Sequence, residues 1–440
     1  MTSDQFVILL LDLALVFVAV RLLGSVFRRM HQPPVIGEII AGILMGPTLF
    51  DGAIGNVLFP HEVRPYLTGL ADLGVVLFMF TVGFEFDHRL LKGMRRAVVT
   101  VSVGSVIPTF GLGVLLAWYL ASGEPADNRT ASVLFLGVAM SVTALPVLAR
   151  ILHDRNVIRT RVSALALSSA AITDAFAWLA LAALTMLASD HDKWRLLLFP
   201  AFLALLLALR PLARRLMIRA EQSSASAQSV LILVVSGLLL SAACTEWIGL
   251  HFVLGAFLFG FLLPKDELPQ VRTEVEDFVH KMGTSLLLPI FFVTAGLKVD
   301  LSQIGLNGLG HFVLITLVAL GGKFGGVFLG AWAGGLRKSE STTLSVLMNV
   351  RGLTELVMLA TGLSLGLLDQ HLYSLMVLMA VLTTALSGPL LRLAPPLSPT
   401  APEAAGFMST LENPLRDQMS PSVSRGSESP TTLAGDSTDR

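Results

Sequence analysis

The sequence predicts an all-α polytopic membrane protein with thirteen transmembrane helices. Three observations lead to this fold class: the composition, the lengths of the apolar stretches and the distribution of basic residues. Hydrophobic residues make up 54% of the 440 residues and charged residues only 14%. One water-soluble core could not hide so much apolar surface, so the bilayer is the predicted solvent for most of the chain.

The apolar residues fall into separate stretches, each about as long as a helix that crosses roughly 30 Å of hydrocarbon. The first stretch has no basic residue before it and Arg21 follows it directly, so it is interpreted as a retained helix, not a signal peptide. The thirteen stretches cover approximately 6–26, 35–52, 67–86, 97–120, 131–151, 162–187, 195–213, 228–247, 249–264, 283–298, 308–334, 342–366 and 371–393.

The loops between these stretches differ in positive charge. Alternate loops must lie on the same side of the membrane, and one set carries 20 Lys and Arg residues whereas the other carries 5. Positive loops stay in the cytoplasm, so the amino terminus is predicted outside the plasma membrane and the carboxyl terminus inside. An added or missed helix would have scrambled this pattern, so the charge distribution also supports the count of thirteen.

Comparison of the chain with itself indicates an inverted repeat. Segment 78–87 matches 291–300 at an offset of 213 residues, and 142–149 matches 353–360 at an offset of 211. These matches pair the third helix with the tenth and the fifth with the twelfth. Because an offset of seven helices is odd, the two six-helix copies face opposite ways. Chance similarity between apolar segments is the alternative explanation.

The predicted transmembrane domain, 1–395, therefore contains repeat one at about 6–187, a linker helix at 195–213 and repeat two at 228–393, with a tail at 396–440. The tail is rich in Pro, Ser, Thr and Gly and has no apolar periodicity, so we predict a disordered cytoplasmic segment. Inverted repeats are typical of transporters, because the two copies supply outward-open and inward-open forms of one architecture.

Asp174 breaks the symmetry of this repeat. Thr173-Asp174 aligns with Thr384-Ala385, so the carboxylate is present in one copy only. It lies about twelve residues into its predicted helix, roughly 18 Å and near the membrane midplane. A carboxylate at this depth is usually kept for an ion pathway, although a structural hydrogen-bonded aspartate is the alternative. Four other charged residues are close enough to helix ends to be solvated and rank lower: Asp12, Arg21, Glu38 and Asp72.

Lys323 is a second asymmetric charge, because its equivalent in the fourth helix, near Phe110, is apolar. A buried ammonium is tolerated when it is paired, and Asp174 is the obvious partner if their helices meet. A salt bridge that yields when a cation or proton takes the carboxylate would couple the two ions. A permanent structural pair and a lysine that snorkels to the interface are the alternatives.

The fifth helix carries a signal of interrupted backbone. Ser141 and Thr143 precede Pro146, and a proline in a helix interior frees the carbonyl four residues earlier. Freed carbonyls and hydroxyls could complete the oxygen shell of a cation, so the predicted ion ligands are Asp174, Thr173, Thr143 and Ser141. A plain kink is the alternative.

The twelfth helix carries Arg351 and Glu355 on either side of a helix-breaking Gly352. Residues four apart lie on one helix face and can form an ion pair. We interpret this pair as structural, stabilising the second broken helix, in preference to direct ion binding.

The sequence gives little support to other classes of function. Lys plus Arg equals Asp plus Glu at 31 each, so there is no net basic field for nucleic acid. The single cysteine, Cys244, excludes a multi-cysteine metal site, and no metal is expected beyond a transported cation at Asp174. Without a phosphate loop, a histidine pair at metal-ligand spacing or a nucleophile elbow, neither an enzyme nor a cofactor is predicted. A sodium-coupled organic-anion symporter on a similar inverted-repeat fold stays open.

Across roughly residues 10–393 the chain resembles the monovalent cation:proton antiporters of the antiporter-2 branch, which include bacterial sodium/hydrogen and potassium/hydrogen exchangers and plant cation/proton exchangers. The segments that carry the resemblance are Pro34 to Pro47, Ser141 to Pro146, Thr173-Asp174, Pro289 to Gly296, and Asn349 to Glu355.

The resemblance implies a homodimer in membrane lipid, with a dimerisation domain and an ion-translocating core in which two broken helices cross. The core would move like an elevator and exchange a monovalent cation, sodium or potassium, for protons. Asp174 would bind the ion and Lys323 would be the family's basic residue. Many electrogenic members have two adjacent aspartates, whereas Thr173 precedes Asp174 here, which favours electroneutral exchange. The tail gives no support for a nucleotide-binding domain.

Overall fold

The computed structural model describes residues 1–48, 53–85, 94–120, 129–154, 157, 160–188, 193–222, 227–263, 269–302 and 304–393. The secondary structure of this part is helical, in agreement with the predicted all-α class. The predicted tail at 396–440 lies outside the described residues.

Each of the thirteen predicted stretches lies at a helix or at a pair of consecutive helices. The first half contains α1 Ser3–Arg29, α2 Pro34–Met45, α3 Ala53–Leu58, α4 Arg64–Glu85, α5 Arg95–Leu120, α6 Arg129–Ser141, α7 Leu145–Asp154 and α8 Arg161–Ala188. A short 3-10 helix, Lys193–Leu197, leads into α9 Leu198–Gln222. The second half contains α10 Ala227–Ile248, α11 Phe252–Leu262, α12 Pro269–Val279, a π-helical segment His280–Leu287, α13 Leu288–Leu297, α14 Leu306–Ala333, α15 Lys338–Leu347, α16 Leu353–Ser364 and α17 Gln370–Leu393.

Within the described residues, eight helices are long and apolar enough to cross a membrane, and four shorter apolar helices accompany them. The chain is thus a multi-pass membrane protein. Two of the predicted spans are pairs of half-length helices: α6 and α7 have 13 and 10 residues, and α15 and α16 have 10 and 12. A helix of 13 residues is only roughly 20 Å long, so neither member of a pair spans the bilayer alone. The total of thirteen spans stays a prediction.

The helices pack into two groups. The core group consists of α5–α8 and α14–α17, and the scaffold group consists of α1, α2, α4 and α9–α13. At the centre of the core group, α5 lies so close to α14 that a Cβ added at Gly104 would be 3.0 Å from the Cα of Gly330. Only glycine permits this approach, so the two helices form a rigid central pair.

Packing in the scaffold group is reciprocal between the two halves of the chain. Helix α2 packs on α13, and α11 packs on α4. The sequence comparison matches α4 with α13, so the two pairs are the ones expected to be equivalent under the predicted inverted repeat. The repeat itself stays a prediction that this packing favours.

Candidate ion-binding site

Two interrupted helices meet in the core group. Residues 142–144 separate α6 from α7, and 348–352 separate α15 from α16. The backbone N–H of Ala144 donates a hydrogen bond to the carbonyl of Val350 at 3.1 Å. The Thr143 hydroxyl donates to the carbonyl of Met348 at 3.4 Å. The two breaks therefore touch, which is the crossing that the family resemblance implies.

Each break has a residue beside it that restricts the backbone or the packing. Pro146 is the second residue of α7, so the expectation that it lies in a helix interior was wrong. The first N–H groups of a helix have no partner within the helix, so proline is tolerated there. In the other break, a Cβ on Gly352 would lie 2.7 Å from Cγ2 of Val147. The close approach of α7 therefore favours glycine at position 352.

Asp174 lies in the middle of α8 and is only 2% exposed. Its Oδ2 accepts hydrogen bonds from the backbone N–H of Leu145 at 3.4 Å and from the Thr354 hydroxyl at 3.2 Å. Leu145 begins α7, so the carboxylate faces the positive end of a helix dipole. Its Oδ1 makes no hydrogen bond with any described residue. One carboxylate oxygen joins the two broken helices, and the other is buried and uncommitted.

Lys323 is fully buried in α14, which excludes snorkelling to an interface. Its Nζ donates to the carbonyls of Ser141 and Val142, the latter at 3.0 Å. No ion pair joins Lys323 to Asp174 within 4.0 Å, so the direct salt bridge suggested by the sequence is not formed in this structure. The reason is that the carbonyls at the end of α6, the negative end of its dipole, already satisfy the ammonium.

The predicted ion pair between Arg351 and Glu355 is formed, with Nη1 2.7 Å from Oε1 and both side chains buried. Arg351 is not on a helix face as the spacing suggested, because it lies in the break before α16. Glu355 occupies the first turn of α16, where a carboxylate is favoured by the dipole. The second arm of Arg351, Nη2, donates to the carbonyl of Met140 at 2.8 Å, so this residue also links the two breaks.

Helices α8 and α17 hold the two breaks in corresponding ways. On α17, the Thr384 hydroxyl accepts from the backbone N–H of Arg351 at 3.1 Å and donates to its carbonyl at 2.7 Å. On α8, Asp174 accepts from the N–H of Leu145. In the sequence alignment Thr384 corresponds to Thr173, and Asp174 corresponds to Ala385. The two breaks are therefore bonded by residues at neighbouring aligned positions, a neutral hydroxyl for one break and a carboxylate for the other.

The remaining predicted ligands are buried, but their hydroxyls bond within their own helices. Ser141 donates to Val138 at 2.7 Å and Thr173 donates to Ala170 at 2.9 Å. Neither hydroxyl contacts Asp174. The link between Asp174 and the break after α6 is the backbone N–H of Leu145, and no hydrogen bond joins Asp174 to Thr143, Thr173 or Ser141.

Thr354 is a site residue that was missed in the sequence. The offset of 211 residues aligned it with Thr143, so the sequence comparison contained a signal that could have found it.

Asp12 differs from the sequence-based expectation of a solvated residue. It is 3% exposed in α1, and its Oδ2 has no partner among the described residues. It lies in the scaffold group, apart from the crossing.

The chain is similar to known proteins over most of its length. The family model described as sodium/hydrogen exchanger, transmembrane, matches residues 14–394. The Na(+)/H(+) antiporter NhaS4 of Synechocystis is 34% identical over 407 residues, which cover 89% of this chain and 98% of that protein. K(+)/H(+) antiporter 1 of Saccharomyces cerevisiae is 31% identical, and the match covers 94% of this chain but only 49% of the yeast protein. The chain therefore spans about half the length of that relative.

A solved structure, the sodium proton antiporter MjNhaP1 of Methanocaldococcus jannaschii, has the same fold with a TM-score of 0.60. It covers 93% of this chain and 99% of its own, at 15% sequence identity. None of these proteins favours the organic-anion symporter that the sequence left open. The family match over most of the chain and the full-length bacterial relative show that this protein belongs to the transmembrane sodium/hydrogen exchanger family, a family of transporters and not of enzymes.

Proposed function

We propose that this protein exchanges a monovalent cation, sodium or potassium, for protons across the cell membrane, and that Asp174 is the group for which the two ions compete. The family and its named antiporters support the exchange. The observation that supports the site is the buried carboxylate with one uncommitted oxygen at the crossing of two broken helices. Either a cation or a proton can neutralise this carboxylate, but a buried site does not tolerate the excess charge of both.

The ends of the broken helices supply the rest of the proposed cation site. The hydroxyl oxygen of Thr143 and the carbonyls of Ser141 and Val142 are hard oxygen ligands in the segment that leads to Leu145, whose N–H donates to Asp174. Lys323 donates to both carbonyls, so a cation that used them would have to displace its ammonium. The competition proposed for Lys323 is therefore for these carbonyls as well as for the carboxylate. Transporters commonly use the ends of discontinuous helices in this way.

The packing supports an elevator movement of the core against a fixed scaffold. Asp174, Lys323, Arg351, Thr354 and Glu355 all belong to the core group. Hydrogen bonds connect the site residues to one another within that group, so the site can travel with it as one body. The scaffold group is then the proposed dimerisation surface, with the amino terminus outside the cell and the carboxyl terminus in the cytoplasm.

Purified protein in liposomes tests the exchange itself. A pH-sensitive dye inside acidified vesicles should recover its signal when sodium or potassium is added outside, and should not respond to choline of equal ionic strength. Vesicles without protein give the leak of protons. If no alkali cation releases the proton gradient faster than choline does, the proposed function is wrong.

Exchange should be electroneutral, because a single carboxylate binds one cation or one proton in each direction. We expect the cation gradient that exactly balances a given proton gradient to stay unchanged when a membrane voltage of either sign is imposed. The voltage is set with an ionophore for an ion that the protein does not transport. A balance point that moves with voltage would show that more than one proton accompanies each cation.

Thr354→Val is expected to raise the cation concentration needed for half-maximal exchange by about tenfold. The reason is that a hydrogen bond to a charged group contributes about 1.5–3 kcal/mol, and without it the carboxylate is no longer held between the broken helices. Thr354→Ser keeps the hydroxyl and should retain the native value. Thr316→Val is the matched control, since that hydroxyl donates only within α14, to Phe312 at 2.8 Å. Equal values for the two valine variants would exclude a role for Thr354.

A further inference from the structure

Most of the side-chain hydrogen bonds between described residues of the core and scaffold groups lie at one end of the bundle. At this end α13 ends, α17 begins, α11 begins and α16 ends. The distribution of basic residues between loops predicts that this end faces the outside of the cell. It is called here the outer end. At the other end, Gln32 of the scaffold donates to the carbonyl of Ala385 in α17 at 3.2 Å.

Helix α17 of the core is bonded to the end of α13 in the scaffold. The Tyr373 hydroxyl, fully buried, donates to the carbonyl of Ala295 at 2.8 Å. The backbone N–H of Asp300 donates to the hydroxyl of Ser374, also fully buried, at 2.9 Å. The Gln370 side chain donates to the carbonyl of Lys298.

Helix α16 of the core is bonded to His251 at the start of α11. The Thr361 hydroxyl lies 2.8 Å from the carbonyl of Val357 and 3.0 Å from Nε2 of His251. A hydroxyl has one proton and a carbonyl can only accept, so Thr361 donates to Val357 and receives the proton of Nε2. The Nδ1 of His251 accepts from the N–H of Val253 at 3.4 Å and caps α11. Both ring nitrogens are satisfied only in the neutral form with the proton on Nε2.

We propose that these four contacts form an outer latch, which holds the core against the scaffold and closes the route to Asp174 from outside. The outer latch consists of Tyr373 with Ala295, Ser374 with Asp300, Gln370 with Lys298, and His251 with Thr361. A hydrogen bond is lost when its atoms part by about an ångström beyond 3 Å, so movement of the core must break these contacts.

The outer-latch proposal rests on the proposed function in one respect. It requires that the core moves and brings Asp174 to the outside. In this proposal the structure corresponds to the outward-closed state. A neutral hydrogen bond changes an equilibrium by about fivefold, so each contact lowers the population of the outward-open state by about that factor. Loss of one latch contact should therefore make residues behind the latch measurably more accessible from outside the cell, without blocking transport.

Thiol labelling in intact cells measures this accessibility independently of transport. The exposed native cysteine is removed by Cys244→Ser, and Val357→Cys places a thiol at a residue that is 3% exposed. Val357 lies one turn deeper than Thr361 on the same face of α16, so it is behind the latch. A membrane-impermeant maleimide is added outside. Tyr373→Phe is expected to raise the rate of labelling about fivefold, and Thr361→Val, tested separately, should do the same.

Thr383→Val is the matched control, because its hydroxyl donates its one proton within α17, to the carbonyl of Met379 at 2.9 Å with that of Ala380 3.2 Å away, and takes no part in the latch. It should leave the labelling rate unchanged. The outer latch is refuted if the Tyr373 and Thr361 variants are labelled no faster than this control. Dye-based exchange assays on the same variants report separately on the proposed function, so a failure of one can be told from a failure of the other.

Discussion

Asp174→Asn is expected to abolish exchange of cations for protons. The amide has nearly the shape of the carboxylate but carries no charge, so a cation entering the site would be an unpaired charge in a buried position. Such a charge costs several kcal/mol, and each 1.4 kcal/mol weakens binding about tenfold, so we expect affinity to fall by roughly 100-fold or more. The amide also cannot take up and release a proton in the working range, so both halves of the cycle fail.

The same dye assay in liposomes, with sodium and potassium tested separately, checks this expectation. Asp12→Asn provides a matched control, because Asp12 is also a buried aspartate of a membrane helix but lies in α1 of the scaffold group. Its variant should keep exchange near the native rate. Exchange retained by Asp174→Asn, or lost equally in both variants, would contradict the assignment of the ion site.

Arg351→Met is expected to lower the free energy of unfolding by about 3–5 kcal/mol. The substitution leaves Glu355 as a buried carboxylate without its partner and removes a donor from the carbonyl of Met140. Breaking a buried pair by removing one member is costly because the remaining charge stays desolvated. The loss should be seen as a lower unfolding temperature of the purified protein in detergent.

Replacing both members of the pair distinguishes a structural role from ion binding. Arg351→Met with Glu355→Leu removes both charges, and buried pairs replaced by apolar residues are often as stable as before. We expect the double variant to recover most of the lost stability. Arg392→Met, at an exposed arginine in the last turn of α17, should change stability by no more than about 0.5 kcal/mol. If Arg351→Met were as stable as this control, the ion pair between Arg351 and Glu355 would not stabilise the interrupted helix.

The interrupted helices show how far the sequence could predict the site. Proline and glycine act on the backbone locally, so Pro146 and Gly352 indicated the two breaks in advance. The position of Pro146 within the first turn of α7 was not predictable from its presence alone, because the three residues before it, 142–144, form the break through contacts with Val350 and Met348. Those partners lie more than 200 residues away.

For the charged residues, the sequence could predict burial but not the hydrogen-bond partners. Burial of Asp174 and Lys323 followed from their positions in long apolar stretches, but their partners did not. Lys323 could have met any acceptor, and the carbonyls at the end of α6 proved closer than the carboxylate. Asp12 was expected to be solvated near a helix end, yet the packing of α1 on neighbouring helices buries it.

By itself the sequence determined that this chain lies in a membrane and where its apolar helices run, and it predicted an internal repeat that Asp174 breaks. These are local or pairwise properties: burial of a segment in lipid depends on its own composition and length. Only the tertiary structure decided that Thr354 and Leu145 hold Asp174 and that Lys323 stabilises α6. It also decided that four contacts join core and scaffold at the outer end. Hydrogen bonds require distances near 3 Å, and only the packing of distant helices sets those distances.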